Sequence, residues 1–151
     1  MVPRKGCVKS MEKTMNKATS DVSDKLHPNV QYLEPVYKSY GAKTSFSGRI
    51  VTVKCYEDNS LVETALRTNG KDSILVIDAG GSMNCAMLGD KRATDAINNE
   101  WEGIVVHGLI RDSATINRME IGVRALGVCP LKSIKKGVGD SNLIVNFSGV
   151  T

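Results

Sequence analysis

The chain has 151 residues, 41% of them hydrophobic and 24% charged, which suits one globular domain with a sizeable core. No apolar run approaches the roughly 18 residues that span a bilayer, so nothing points to a membrane helix. Five of the 20 basic residues and one of the 16 acidic ones fall in residues 1–17, so the remaining chain carries 15 of each and shows no basic stripe for direct nucleic-acid binding.

Residues 1–17 lack the apolar core of a secretory signal, and with Arg4 as their single Arg they match a transit peptide poorly. They are expected to form a basic, disordered tail ahead of one domain over residues 18–151, in the cytoplasm. Cys7, Cys55, Cys85 and Cys129 contain no C-x-x-C, and only His27 and His107 could add imidazole ligands, so a zinc site is not expected. Reduced, mostly buried thiols suit such a chain better than bridges.

In SDVSDKL, N-cap residues precede a short helical start, and Pro35 then argues against a long helix before the turn at Gly41. GRIVTVKCY alternates Val51, Val53 and Cys55 with polar residues, as a half-buried strand does. SLVETALRTNG predicts a helix capped at Ser60 and stopped at Asn69–Gly70. SILVIDAGGS and GIVVHGLI are short, continuous and rich in β-branched residues, as strands covered on both faces are. A helix is expected to start near Gly89–Asp90, and another to run over residues 113–121 with Asp112 or Ser113 as its cap. VRAL reads as a strand, and KSIKKG and NLIVNFSGV read as two more around the turn GVGDSN. Alternating strands and helices make the chain an α/β domain.

Ligands in α/β folds gather at strand ends. The units 74–97 and 104–121 follow each other, and right-handed crossovers put their strand ends on one sheet edge, so their turns are expected to face one cleft. The first turn brings Gly89, Asp90, Lys91 and Arg92, whose backbone N–H groups at a helix start can seat a carboxylate or phosphate. The second brings Arg111 and Asp112, which as neighbours in a regular strand point to opposite faces and need partners other than each other. Arg111 can grip an oxyanion with its planar fork, Asp112 can hold a hard divalent cation, and Asp90 adds a second carboxylate. Such a set suits a small 2-oxo acid with Mg²⁺ or Mn²⁺, with Arg111 offsetting enolate charge. The same residues also have plainer readings: Asp112 and Asp90 as helix caps, and Arg111 as a solvated side chain.

Other positions carry less. Gly80–Gly81 fits no phosphate loop, Asp78 before it reads as structural, and Ser82 lacks the context of a nucleophile elbow. His107 lies within a strand and reads as a core histidine with its bonds satisfied.

GRIVTVKCYEDN, VIDAGGS, LGDKRATDAINNEWEGIVVHGLIRD and VNFSGV together resemble the RraA-like family over about residues 19–151. That family includes regulators of RNase E activity as well as divalent-metal aldolases acting on 4-hydroxy-4-methyl-2-oxoglutarate, with oxaloacetate decarboxylase activity. The resemblance implies a β/β/α layered domain, a homotrimer with sites near subunit contacts, and no Schiff-base lysine. It also implies that Asp90, twenty residues, then Arg111–Asp112 form an enzymatic pattern. By this resemblance Gly89 to Arg92 hold the substrate, Lys91 through its backbone; Arg111 contacts the substrate and stabilises the enolate; Asp112 binds Mg²⁺ or Mn²⁺; and Asp90 positions water on it. Three positions after the Arg–Asp pair such enzymes often carry an acid, whereas this chain has Thr115. Members also usually continue past the glycine–valine ending, and an acidic group from that region of a neighbouring subunit can reach the site. EPVYKSYG, VTVKCYEDN and NEWEG look closer to the regulator branch. The leading expectation is a metal-dependent lyase on 2-oxo acids; the alternative is a non-catalytic regulator that binds a ribonuclease.

Overall fold

The computed structural model describes residues 18–151; the expected tail over residues 1–17 lies outside the described residues. The chain divides into two compact units, Met1–Tyr32 and Leu33–Thr151. In the described part of the first, helix α1 (Thr19–Leu26) buries no side chain, and Ser23 and Tyr32 share a hydroxyl hydrogen bond of 2.8 Å.

The second unit is a mixed seven-stranded sheet with helices between its strands. Its elements are β1 (Lys38–Tyr40), β2 (Arg49–Lys54), α2 (Ser60–Leu66), β3 (Ser73–Asp78), β4 (Ala86–Leu88), α3 (Asp90–Asn98), β5 (Gly103–Ile110), α4 (Ser113–Ile116), β6 (Gly122–Val128) and β7 (Asp140–Ser141). The strand order is β1-β6-β5-β3-β2-β7, and β4 pairs with β5 off this path. The four inner strands β6, β5, β3 and β2 run parallel, while β1 and β7 close the edges antiparallel.

Alternation along the inner strands sends Leu75, Ile77, Ile104, Val106, Val123 and Ala125 to one face. There they pack with Val62 and Leu66 of α2 and Ala93 and Ala96 of α3 in one apolar cluster. Small alanines on α3 let that helix lie close to the sheet, and each fully buried Leu or Ile contributes about 1.5–3 kcal/mol of burial. Cys55 and Cys85 are buried free thiols, as expected, and burial, helped by Asp58 and Asp78, pushes the Cys55 thiol up to about 12.

One device places the strand ends. β5 pairs with β3 as far as His107 and with β4 at Leu109 and Ile110, so β4 takes over where β3 stops. Gly80 and Gly81, at φ 65° and 69°, make the turn between β3 and β4, and both lie in the left-handed region that glycine tolerates best. A bond of 3.0 Å from the Gly81 N–H to the His107 carbonyl fixes that turn against β5.

Three expected elements differ. The helix over 113–121 shortens to α4, because Ile121 and Gly122 are drawn into and beside β6. KSIKKG and NLIVNFSGV do not form strands; β7 falls instead on Asp140–Ser141, inside the expected turn. For KSIKKG the reason lies in Asp58, a buried carboxylate that gathers the connection. Its Oδ2 accepts backbone N–H groups from Lys136 (2.8 Å) and Val138 (3.0 Å), and its Oδ1 accepts from the Ser60 backbone (2.9 Å) and hydroxyl (2.5 Å). A backbone bonded to a carboxylate cannot join a ladder.

Burial alone would raise the Asp58 pKa, but the bonds from Ser60, Val138 and Lys136 outweigh it and hold the carboxyl well below the usual range. The folded value lies below the unfolded one, about 3.9, so this stabilisation is complete above that value and is lost as pH falls through the folded value. Asp58→Asn turns one acceptor into a donor facing N–H groups, and is expected to cost on the order of 3 kcal/mol at pH 7. Urea unfolding from pH 7 to 3 checks this: the gap between wild type and variant should be flat near neutrality and shrink in acid.

Candidate active site

β4 and β5 end side by side, and the Arg111 N–H donates to the Leu88 carbonyl at 2.9 Å. This bond brings the turn into α3 against the turn out of β5. Gly89 is the N-cap of α3, with extended backbone, and Asp90 is the first helical residue. Asp90 therefore does not cap the helix. Its Oδ1 accepts the N–H of Lys91 at 2.7 Å.

Asp112 has φ 56° and ψ 33°, in the left-handed region. This conformation is uncommon for a residue with a side chain, but Asp is among those that tolerate it. The break from regular strand geometry overturns the expectation that Arg111 and Asp112 face apart: Arg111 Nε lies 3.5 Å from Asp112 Oδ2. Nor does the Asp112 side chain cap α4; its Oδ2 reaches across to accept the Asp90 N–H at 3.2 Å. The carboxylate thus ties the start of α3 to the end of β5. Its Oδ1 makes no hydrogen bond or ion pair among the described residues, and the side chain is 34% exposed.

Gly89 permits this. A Cβ at that position would stand 2.8 Å from Asp112 Oδ2 and 3.3 Å from Arg111 Cγ and Nε. No positive φ requires glycine here; the crowding does.

The two turns open on one cleft of about 280 Å³, lined by Gly89, Asp90, Lys91, Arg92 and Arg111. All the residues singled out from the sequence line it except Asp112, which stands behind Gly89 and Arg111. Arg92 is turned away from substrate duty. Its guanidinium lies 2.5 Å from Glu63 Oε2 and 3.0 Å from Asp95 Oδ2, so only its backbone is free to serve the cleft. Lys135 also pairs with Glu63.

Sequence reasoning missed Asn59, Lys132, Ser133 and Lys135, which line the same cleft. Lys132 forms a parallel bridge with Ala86, and the Ala86 N–H donates to Leu131 at 2.7 Å, so the connection after β6 runs along the outer edge of β4. No motif marks that placement. It depends on Asp58 collecting residues 136 and 138 from far along the chain.

His107 has its bonds satisfied, as expected, but is half-buried and lies outside the core: Tyr37 Oη is 2.9 Å from its Nδ1, and its ring stacks on Phe147 at 4.6 Å. No group of three or more His, Cys, Asp or Glu side chains suited to enclosing a metal occurs among the described residues. A hard cation of the Mg²⁺ type needs less, one or two carboxylates with water completing its shell, and the open Oδ1 of Asp112 fits that donor set.

Residues 19–151 match the family model described as "RraA-like: Aldolase/RraA". The chain belongs to the RraA-like family. It is 51% identical over 133 residues to a protein of Aromatoleum aromaticum, with 88% of this chain and 84% of that one covered, and 52% identical over 137 residues to one of Dechloromonas aromatica, with the same coverage. Both carry the provisional name 4-hydroxy-4-methyl-2-oxoglutarate aldolase. Among solved RraA-like folds, the RNA-processing inhibitor RraA of Thermus thermophilus superposes with a TM-score of 0.85 at 38% identity, covering 90% of this chain and 82% of that one. A Geobacillus kaustophilus protein described as an S-adenosylmethionine:2-dimethylmenaquinone methyltransferase reaches 0.87 at 44% identity, covering 89% and 83%. The α/β reading of the sequence is borne out by these folds. No helix among the described residues is long and apolar enough to cross a membrane.

Gly89→Ala is expected to push the Asp112 carboxylate off the Asp90 N–H while α3 and β5 stay in place. A crystal structure of the variant checks this, and an unchanged bond near 3.2 Å would contradict the account of Gly89.

Proposed function

We propose that the protein is a divalent-metal-dependent lyase that breaks the C3–C4 bond of 2-oxo acids and releases pyruvate. In type it is a 4-hydroxy-4-methyl-2-oxoglutarate aldolase that also decarboxylates oxaloacetate. The observation that carries this reading is the meeting of Arg111 and the start of α3 at one small cleft with five basic residues in its lining, with the open Asp112 carboxylate just behind Gly89 and Arg111. The names of the relatives at about half identity agree with it.

Asp112 would hold Mg²⁺ or Mn²⁺ through its open oxygen, and the bound cation would supply Lewis-acid polarisation of the 2-oxo group. The backbone N–H groups at the start of α3, Lys91 and Arg92 among them, receive the C1 carboxylate, aided by the helix dipole. Asp90 Oδ1 gives up the Lys91 N–H as that carboxylate takes its place. Arg111 faces the negative charge that develops as C3 becomes an enolate carbon, with its guanidinium aimed by the contact to Asp112. Asp90 orients a water that takes up the 4-hydroxyl proton in aldol cleavage and returns a proton to C3 of the enolate. Aldol cleavage and decarboxylation both leave the pyruvate enolate, so one set of residues serves both. The site stands near subunit contacts of a homotrimer in this reading.

A second reading has its own observation. An adjoining cleft of about 470 Å³, which shares Lys132 and Ser133 with the first, includes the exposed apolar side chains Tyr56, Leu131, Ile134 and Val138 in its lining. Such a surface would suit a protein partner, including a ribonuclease, without any use of Asp112.

Purified protein incubated with oxaloacetate or 4-hydroxy-4-methyl-2-oxoglutarate and Mg²⁺ or Mn²⁺ is expected to release pyruvate, and EDTA to stop it. Arg111→Ala and Asp112→Ala should each lower kcat/KM by about 100-fold or more. No metal-dependent pyruvate from the wild type would sink the lyase reading. Capture of a ribonuclease that survives Asp112→Ala would then support the second.

A further inference from the structure

Two of the three free thiols among the described residues flank one junction of the fold. Cys85 directly precedes β4 and is 5% exposed, and Cys129 directly follows β6 and is half-buried. The Cys129 Sγ lies 3.7 Å from the carbonyl oxygen of Asn84, whose peptide group leads into Cys85. The Ala86 N–H donates to the Leu131 carbonyl at 2.7 Å and Ala86 bridges Lys132, so the start of β4 and the connection after β6 run beside each other. Chains paired in this way stand roughly 4.8 Å apart, within the Cα separation of about 4.4–6.8 Å that a disulfide spans. The Cys129 sulfur stands level with Asn84, just short of Cys85.

Their surroundings give the two sulfurs different parts. Burial, then Glu57 and Cys129, push the Cys85 thiol up, so Cys85 is slow to form a thiolate. Cys129, the more exposed, is the one that meets an oxidant first. Cys85 lines the adjoining cleft, which gives water a way out from beside it.

We propose that Cys85 and Cys129 form a reversible disulfide under oxidants of the hydroperoxide class, and that this bond displaces the outer wall of the cleft. In the first step the Cys129 sulfur attacks one peroxide oxygen, the O–O bond breaks, and Cys129 becomes a sulfenic acid as water leaves. In the second the Cys85 sulfur attacks the sulfenic sulfur, the S–O bond breaks, and a second water leaves with the Cys85 proton. Two thiols and one hydrogen peroxide thus give one disulfide and two waters; the sulfurs lose two electrons and the peroxide gains them. Closing the bond draws Cys129 forward along β4 and pulls the Leu131 carbonyl off the Ala86 N–H. Lys132 and Ser133, which follow Leu131 directly, line the cleft and move with it. The effect on turnover rests on the lyase reading; the disulfide does not.

The full chain is treated with a small excess of hydrogen peroxide and digested without reductant. Mass spectrometry is expected to find a Cys85–Cys129 cross-linked peptide that dithiothreitol splits, and non-reducing electrophoresis to show a single chain. Hydrogen exchange followed by NMR should show the Ala86 amide losing protection by about tenfold or more on oxidation. Metal-dependent pyruvate release should fall by about threefold or more and return with dithiothreitol, whereas damage by methionine oxidation needs a dedicated reductase to reverse. Cys129→Ser should keep its activity and lose this response to peroxide. A sulfinic acid at Cys129 with Cys85 still free, a link to Cys7, to Cys55 or between chains, or a bridged protein with unchanged Ala86 protection would overturn the inference. So would turnover that the bridge leaves untouched. A bridge that exposes the Ala86 amide, in a protein that releases no pyruvate even when reduced, would uphold the disulfide and count against the lyase chemistry alone.

Discussion

The bond from the Asp90 N–H to the Asp112 carboxylate, 3.2 Å long, ties together two segments twenty-two positions apart in the chain. It exists because three local conditions meet. β4 replaces β3 beside β5, so that two strand ends coincide. Gly89 leaves room that a methyl group would fill. The left-handed backbone at Asp112 turns its carboxylate back toward α3 and toward Arg111, not onward to cap α4. One oxygen is then spent on structure and the other remains open, the condition for a carboxylate that is held in place and still able to take a ligand.

Around that bond, electrostatics sorts the basic side chains into two groups. Glu63 collects Arg67, Arg92 and Lys135, and Asp95 shares the arginines, so these cations serve to pin α2, α3 and the connection after β6 to one another. Lys91, Lys132 and Arg111 stay available to an anion in the cleft. Asp58 performs the matching task from below, holding residues 136–138 by backbone bonds. The cleft is thus assembled from the two turns and a distant, irregular segment, and its shape depends on buried Asp58 and half-buried Glu63 and Asp95, none of which lines it.

Period-two alternation identified β2, and unbroken β-branched runs identified β3 and β5, because burial on a sheet leaves a direct mark on composition. The start of α3 and the pairing of LGDKR with IRDS were legible for the same reason: strand ends can be located once the strands are. The chain after β6 was not. KSIKKG alternates like a strand, yet its backbone bonds to Asp58, and no local pattern records a partner that lies about 78 positions away. Arg111 facing Asp112 was missed because a left-handed residue has no signature beyond being Asp. Solved relatives of this fold carry descriptions as different as an RNA-processing inhibitor and a methyltransferase, so the fold alone does not select a chemistry; the residues of the cleft do.

The central claim is that this cleft forms a pyruvate enolate. NMR of pyruvate in D₂O with the protein and Mg²⁺ tests that step without requiring the natural substrate, since each enolate formed and reprotonated at C3 replaces a methyl proton by deuterium. The account predicts exchange well above the protein-free rate, abolished by EDTA and lowered by about 100-fold in Arg111→Ala. Exchange no faster than in buffer, or undiminished without Arg111, would contradict it.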